Sequence, residues 1–344
     1  MTDRSRCTDD THTFGGSRRR YLAALLALAG GAPLAGCASE SGSSPASETP
    51  AATDAATAPT GTRSTGGTDG PALGDVVEDD RLAVVAYSVG RSADFESLEV
   101  LNGDGHVVVE MGVKNTHGSE YVGVSSRGGF TLRDADGTEY HPTVAGPEPR
   151  LDAGALAPGE AARGFVTFDR VPADATGFSV DVAPTAGPGD LGRATIDLES
   201  DGEGRTLTHD FAVPVHDLGD TTEYRDTRFT ADAVRTSTGD GAVTPRPGHE
   251  FVVVDITVEN TADDELFVNT PVQADLKDTA GRTYDLSTDA ILAFEDVAAS
   301  VTVDPESSVH TALGFEVEAG LEPLYLVVDL DSIWVGGRTF YRLR

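Results

Sequence analysis

Two stretches of the chain alternate apolar and polar residues in the same way. In the first, Val107, Val109, Met111 and Val113 fall on one side of an extended strand, with Glu110 and Lys114 on the other. In the second, Val252, Val254, Ile256 and Val258 repeat that parity, with Asp255, Thr257 and Glu259 opposite. Period-2 alternation of β-branched residues predicts a strand with one buried face. Each stretch ends in Asn-Thr, at Asn115-Thr116 and Asn260-Thr261, where a polar turn is expected. Asp134-Ala135-Asp136-Gly137 and Asp278-Thr279-Ala280-Gly281 read as hairpin turns. Val166 and Phe168 form a further inward row, as do Leu313, Phe315 and Val317. Phe178, Val180 and Val182 align with Tyr325, Val327 and Asp329 as the last such row. No amphipathic helix of several turns is predicted.

These matches form an internal repeat. Leu132 to Tyr140 corresponds to Leu276 to Tyr284, and Leu73-Gly74-Asp75 to Leu218-Gly219-Asp220. Pro158 and Phe168 pair with Pro305 and Phe315. Two long copies at nearly constant spacing indicate tandem domains and not a solenoid. Short strands separated by turns predict an all-β fold, a sandwich in each copy. The expected first domain spans 73–215 and the second 216–344. Ala194 to Leu198 and Phe211 to Val213 are candidates for closing the first.

The order Gly-Asp, Asn-Thr after a Val-rich strand, Asp-x-x-Gly-x-x-Tyr, Pro-Gly-Glu and a strand Phe carries a resemblance. It resembles the immunoglobulin-like (telokin-like) domain of unknown function that recurs in bacterial and archaeal lipoproteins. Pro158-Gly159-Glu160 fits that order, whereas Pro305-Glu306-Ser307 departs from it. The resemblance covers most of residues 73–344. It implies two tandem immunoglobulin-like β-sandwiches and brings no catalytic residue with it.

The N-terminus has a different pattern. Arg18-Arg19-Arg20 precedes Tyr21 to Gly36, which apart from Tyr21 holds only Leu, Ala, Gly and Pro. A cationic run before a short apolar run predicts a secretory signal over 1–36, since a lasting span needs about 20 apolar residues. Ser17-Arg18-Arg19-Arg20-Tyr21-Leu22 resembles the twin-arginine export signal, with Arg18 and Arg19 as its pair. Leu34-Ala35-Gly36-Cys37 resembles a lipobox, which implies a lipid on Cys37 and attachment to the outer face of the membrane. From Ala38 to Pro71 the chain lacks Phe, Tyr, Trp, Leu, Ile and Val. Such a segment cannot bury enough apolar surface to order itself, so 37–72 is expected to be a disordered tether.

Charge changes the picture of the environment. The chain carries 57 acidic against 25 basic residues, a net charge of −32, with Lys114 and Lys277 its only lysines. In dilute buffer that excess repels itself, and in molar salt a Debye length of about 3 Å screens it. The composition resembles proteins of halophilic archaea. No basic patch is found along the sequence, which disfavours direct nucleic-acid binding, and no nucleic-acid partner is expected. Cys7 and Cys37 are the only cysteines, and Cys7 lies in the segment expected to be removed. The mature chain therefore has no internal disulfide.

Candidate chemistry is sparse. Asp134, Asp136 and Glu139 offer oxygens to calcium, although a hairpin turn accounts for them better and Ala280 replaces Asp136 in the second copy. Trp334 is either a core aromatic or an exposed ligand platform. The histidines after Cys37 lack metal-ligand spacing, and neither a Gly-x-Ser-x-Gly elbow nor a phosphate loop occurs. No cofactor, metal or catalytic residue is expected. The chain reads as a non-enzymatic, lipid-anchored surface protein offering two interaction domains to an envelope protein or extracellular ligand. The alternative is an accessory lipoprotein that captures a divalent cation or small solute for a transporter.

Overall fold

In a computed structural model the described residues are 70–91, 105–124, 128–151, 154–183, 194–239, 241–330 and 338–344. Cys37, Arg18, Arg19 and Trp334 lie outside them, as do the expected signal and nearly all of the tether. The described chain is all-β apart from two short helices, Thr270–Gln273 and Thr288–Ala293.

The first sandwich comprises β1 (Ala72–Leu73), β2 (Val77–Glu78), β3 (Leu82–Arg91), β4 (Gly105–Asn115), β5 (Val122–Val124) and β6 (Phe130–Arg133). It continues through β7 (Glu139–Tyr140), β8 (Pro142–Thr143), β9 (Gly154–Leu156), β10 (Ala161–Val171), β11 (Ser179–Val182) and β12 (Ala194–Asp201). One sheet has the order β1-β12-β11-β6-β7, the other β2-β3-β4-β10-β8. The second sandwich comprises β13 (Val215–His216), β14 (Thr221–Tyr224), β15 (Thr227–Ser237), β16 (His249–Asn260), β17 (Leu266–Val268) and β18 (Ala274–Asp278). It ends with β19 (Thr283–Tyr284), β20 (Val301–Val303), β21 (Ser307–Glu318), β22 (Leu324–Asp329) and β23 (Arg338–Arg342). Its sheets run β13-β23-β22-β18-β19 and β14-β15-β16-β21. The two topologies correspond strand for strand, down to the parallel pairs β1–β12 and β13–β23. Among the described residues only β8 lacks a counterpart.

The repeated motifs are structural. Asp75 closes its turn by accepting from Ala72 N–H at 3.0 Å, while Gly74 N–H reaches the Ala86 carbonyl at 2.8 Å. Asp220, Asp217, Gly219 and Ala231 reproduce this arrangement at 3.0 and 2.8 Å. Both carbonyls sit at the start of a register shift in the neighbouring pair, between Ala86 and Ser88 and between Ala231 and Ala233. Asn115 is fully buried, and its amide donates to the Glu120 and Leu156 carbonyls at 2.8 and 2.9 Å. Asn260 does the same toward Asp264 and Val303, at 2.7 and 3.1 Å. Each Asn thus staples a loop whose carbonyls would otherwise be buried without a donor.

Val107, Val109, Met111 and Val113 enter one core, and Val252, Val254, Ile256 and Val258 the other. Two sequence expectations need correction. β4 and β16 are covered on their second face as well. Tyr87 and Leu207 lie over the outer face of the first sheet, while Ala290, Val297 and Phe294 pack on Phe251 and Val253 of the second. The second is the register of the last strand, which lies one residue from the match of Val180 with Val327. Val180 pairs with Leu132, and Leu326 with Leu276, so Leu324, Leu326 and Val328 are the core row. Tyr325 and Val327 point to the opposite face, because a one-residue slip exchanges the faces of a strand.

Candidate functional site at the junction of the two sandwiches

The two sandwiches lie in one compact unit. Glu160 is at the centre of their contact, fully buried at the turn before β10. Oε1 accepts from Lys277 Nζ at 2.5 Å and from Arg338 Nη2 at 2.6 Å. Oε2 accepts from Arg338 Nε at 3.0 Å and from Ala157 N–H at 2.9 Å. Both cations belong to the second sandwich, on β18 and β23. Burial alone would raise the Glu160 pKa, but Arg338 and Lys277 outweigh it and hold the carboxyl at about 2. Burial pushes the Lys277 ammonium down, and Glu160 opposes that push.

Backbone contacts continue the contact outward. Arg163 N–H donates to the Gly281 carbonyl at 2.9 Å, and Lys277 Nζ reaches the Ala161 carbonyl at 3.3 Å. A Cβ at Gly281 would come within 2.6 Å of the Ala161 carbonyl carbon and oxygen, and its φ is +85°. The position therefore needs glycine both for conformation and for approach. On the flank, Glu110 accepts from Arg163 Nε at 2.8 Å and from Arg282 Nη2 at 3.0 Å. The Arg163 guanidinium also lies 3.9 Å from the Tyr87 ring centre.

The segment after β12 runs along the contact as a strap. Leu207 N–H donates to Tyr87 Oη at 3.0 Å, and Asp210 N–H to the Gly159 carbonyl at 3.0 Å. Lys114 meets Asp210 at 2.8 Å, so both lysines of the chain are used at the strap and junction. His209 stacks on Phe211 at 4.5 Å and meets the Tyr325 edge at 5.6 Å. Phe211 in turn packs on Phe340 at 4.6 Å, beside Ala157 and Val327. Beside the strap is a groove of about 410 Å³, whose charged lining is Glu78, Lys114, Arg205 and Asp210.

The sequence-picked carboxylates at Asp134 and Glu139 are engaged in and beside their own hairpin. Asp134 Oδ1 accepts from Asp136 and Thr138 N–H at 3.0 and 2.8 Å, and Oδ2 from Tyr140 Oη at 2.7 Å. Glu139 pairs with Arg133 at 2.6 Å, and Asp136 is exposed. Among the described residues no three His, Cys, Asp or Glu side chains form a metal-holding group. The junction itself went unread in the sequence. Its one visible signal was the departure of Pro305-Glu306-Ser307 from Pro158-Gly159-Glu160. Glu306 keeps the left-handed backbone, with φ +50° against +77° for Gly159, while Ser307 stands in the Glu160 position opposite Asn260.

Fold and junction together define a tandem β-sandwich protein in which two like domains are joined through buried charge. The family described as "Domain of unknown function (DUF4352)" matches residues 71–190 and again 216–339, and the chain belongs to it. Solved structures with matching chains share little sequence with it. The yjhA protein of Bacillus subtilis is 16% identical, with a TM-score of 0.30 over 38% of this chain and 100% of its own. The candidate lipoprotein ycdA of Bacillus subtilis is 14% identical, with a TM-score of 0.29 over 36% of this chain and 38% of its own. A β-sandwich protein of Clostridium difficile is 10% identical, with a TM-score of 0.26 over 38% and 95%. Comparison with curated proteins gives no match.

Proposed function

We propose that this chain is a non-enzymatic protein, lipid-anchored at the extracellular face of the cell membrane. Its two sandwiches would be presented as one body to an envelope protein or extracellular ligand. The observation that carries this reading is where the buried and strongly shifted Glu160, His209 and Lys277 sit. Such groups mark reactive sites when they line a cleft, but ion-pair networks perturb them too. Here Glu160, His209 and Lys277 face one another across the junction, so their shifts serve attachment of domain to domain. The anchor rests on Leu34 to Cys37, and the export route on Arg18-Arg19. The acid excess fits a saline exterior and a chain folded before export. The alternative role in capturing a cation gains nothing from the groove, where Lys114 and Arg205 balance Glu78 and Asp210.

The test is fractionation of cells carrying Cys37→Ser against wild type. The reading expects wild-type protein in the membrane fraction, and the variant either in the medium or held as unprocessed precursor. A processed variant that stays with the membrane contradicts the anchor.

A further inference from the structure

His209 holds the strap to both sandwiches at once. Its Nδ1 accepts from Ala161 N–H at 2.9 Å, and its own N–H donates to the Thr279 carbonyl at 3.1 Å. A backbone N–H can only donate, so Nδ1 carries no proton and the ring is the neutral tautomer with hydrogen on Nε2. Nε2 is enclosed without a partner in hydrogen-bond geometry. The ring's surroundings oppose a second proton. Lys277 faces it from β18 and Lys114 from β4, and the Tyr325 ring closes one side. Glu160 and the Asp278 backbone favour the charge, but Glu160 is already shared between Lys277 and Arg338. Asp210, next in the strap, is taken by Lys114.

We infer that His209 makes the junction an acid-sensitive latch: a proton on Nδ1 replaces the acceptor of the Ala161 amide with a second donor, the strap lifts, and the sandwiches separate while each stays folded. The direction agrees with the electrostatics. Burial first, and then Lys277, hold the imidazole at about 3 instead of its ordinary 6.5. A group depressed in the docked state binds a proton preferentially in the undocked one. Docking is therefore fully favoured above pH 6.5 and weakens as pH falls toward 3. Between pH 7 and 4.5 the docked-to-open ratio drops on the order of 100-fold. Glu160 extends the loss below 4.5, its own ordinary range.

The experiment is amide hydrogen exchange on the full chain from pH 7.5 to 4, with protection corrected for the intrinsic pH dependence. Protection at Ala161 is expected to fall on the order of 100-fold by pH 4.5, while Val254 in the core of β16 keeps its own. In His209→Asn the side-chain oxygen replaces Nδ1 as acceptor and does not titrate, so Ala161 protection stays level to about pH 4.5. Level protection in the wild type, or a parallel fall in the variant, overturns the latch. If His209→Asn fails to dock even at pH 7.5, imidazole nitrogen shifts of the wild type decide. A His209 that stays neutral while Ala161 is protected supports the latch, and an imidazolium with protection retained overturns it.

Discussion

The same face of the same sheet has opposite character in the two sandwiches. In the first, Thr131, Arg133, Ser179, Asp181 and Thr195 make it polar and partly solvated. Asp181 accepts from Arg133 Nε at 2.7 Å and from Thr195 Oγ1 at 2.6 Å, forming a local surface network. In the second, the corresponding residues are Asp275, Lys277, Tyr325, Val327 and Phe340, none more than 8% exposed. Turn and counter-turn differ in the same sense: Glu160 reaches across to the next domain, and Ser307 donates to its own Asp304 carbonyl at 2.7 Å. A head-to-tail contact that repeated itself would build a ring or an open filament. Here the polar face of the first sandwich and Ser307 of the second lack the buried charges that make the junction between them.

That comparison can be broken at its turn. Glu160→Ala leaves Lys277 and Arg338 buried without their shared carboxylate, which costs about 3–5 kcal/mol. Ser307→Ala at the equivalent place should stay within about 0.5 kcal/mol. Denaturant unfolding read by tryptophan-independent circular dichroism checks both. Equal losses would mean that the two turns do the same work. A smaller contrast separates the hairpins. Gly137 and Gly281 share a left-handed φ, but a Cβ at 137 meets nothing within 4 Å. Gly137→Ala should cost about 1 kcal/mol of backbone strain. Gly281→Ala should cost about 2–3 kcal/mol, because the Ala161 backbone must also move. Thermal unfolding of the pair measures the difference, and equal shifts would detach the hairpin from the junction.

Much of the fold was legible because the strands signal locally. Val107 to Val113 and Val252 to Val258 alternate with period 2, and the turns carry Asp and Gly where a hairpin needs them. The rule failed at Leu324 to Asp329, a strand buried on both faces, where alternation cannot say which face is the core. The junction was not legible because it is made by residues over 100 positions apart, such as Glu160 and Lys277. Asn115 and Asn260 were seen as turn starters, but their buried staples depend on loops that pass beneath them. At Asp134 the sequence favoured a hairpin turn over a calcium ligand, and its Oδ1 accepts from Asp136 and Thr138 N–H within that turn.

The most direct test of the central claim, that the fully buried Glu160 carboxylate ties the two domains together, is a double-mutant cycle on Glu160→Gln and Lys277→Met, read by denaturant unfolding. The account predicts that each single change destabilises strongly and that the double mutant loses less than their sum, with a coupling of about 1–3 kcal/mol. Additive losses would contradict it, since two residues in contact across the junction cannot act independently.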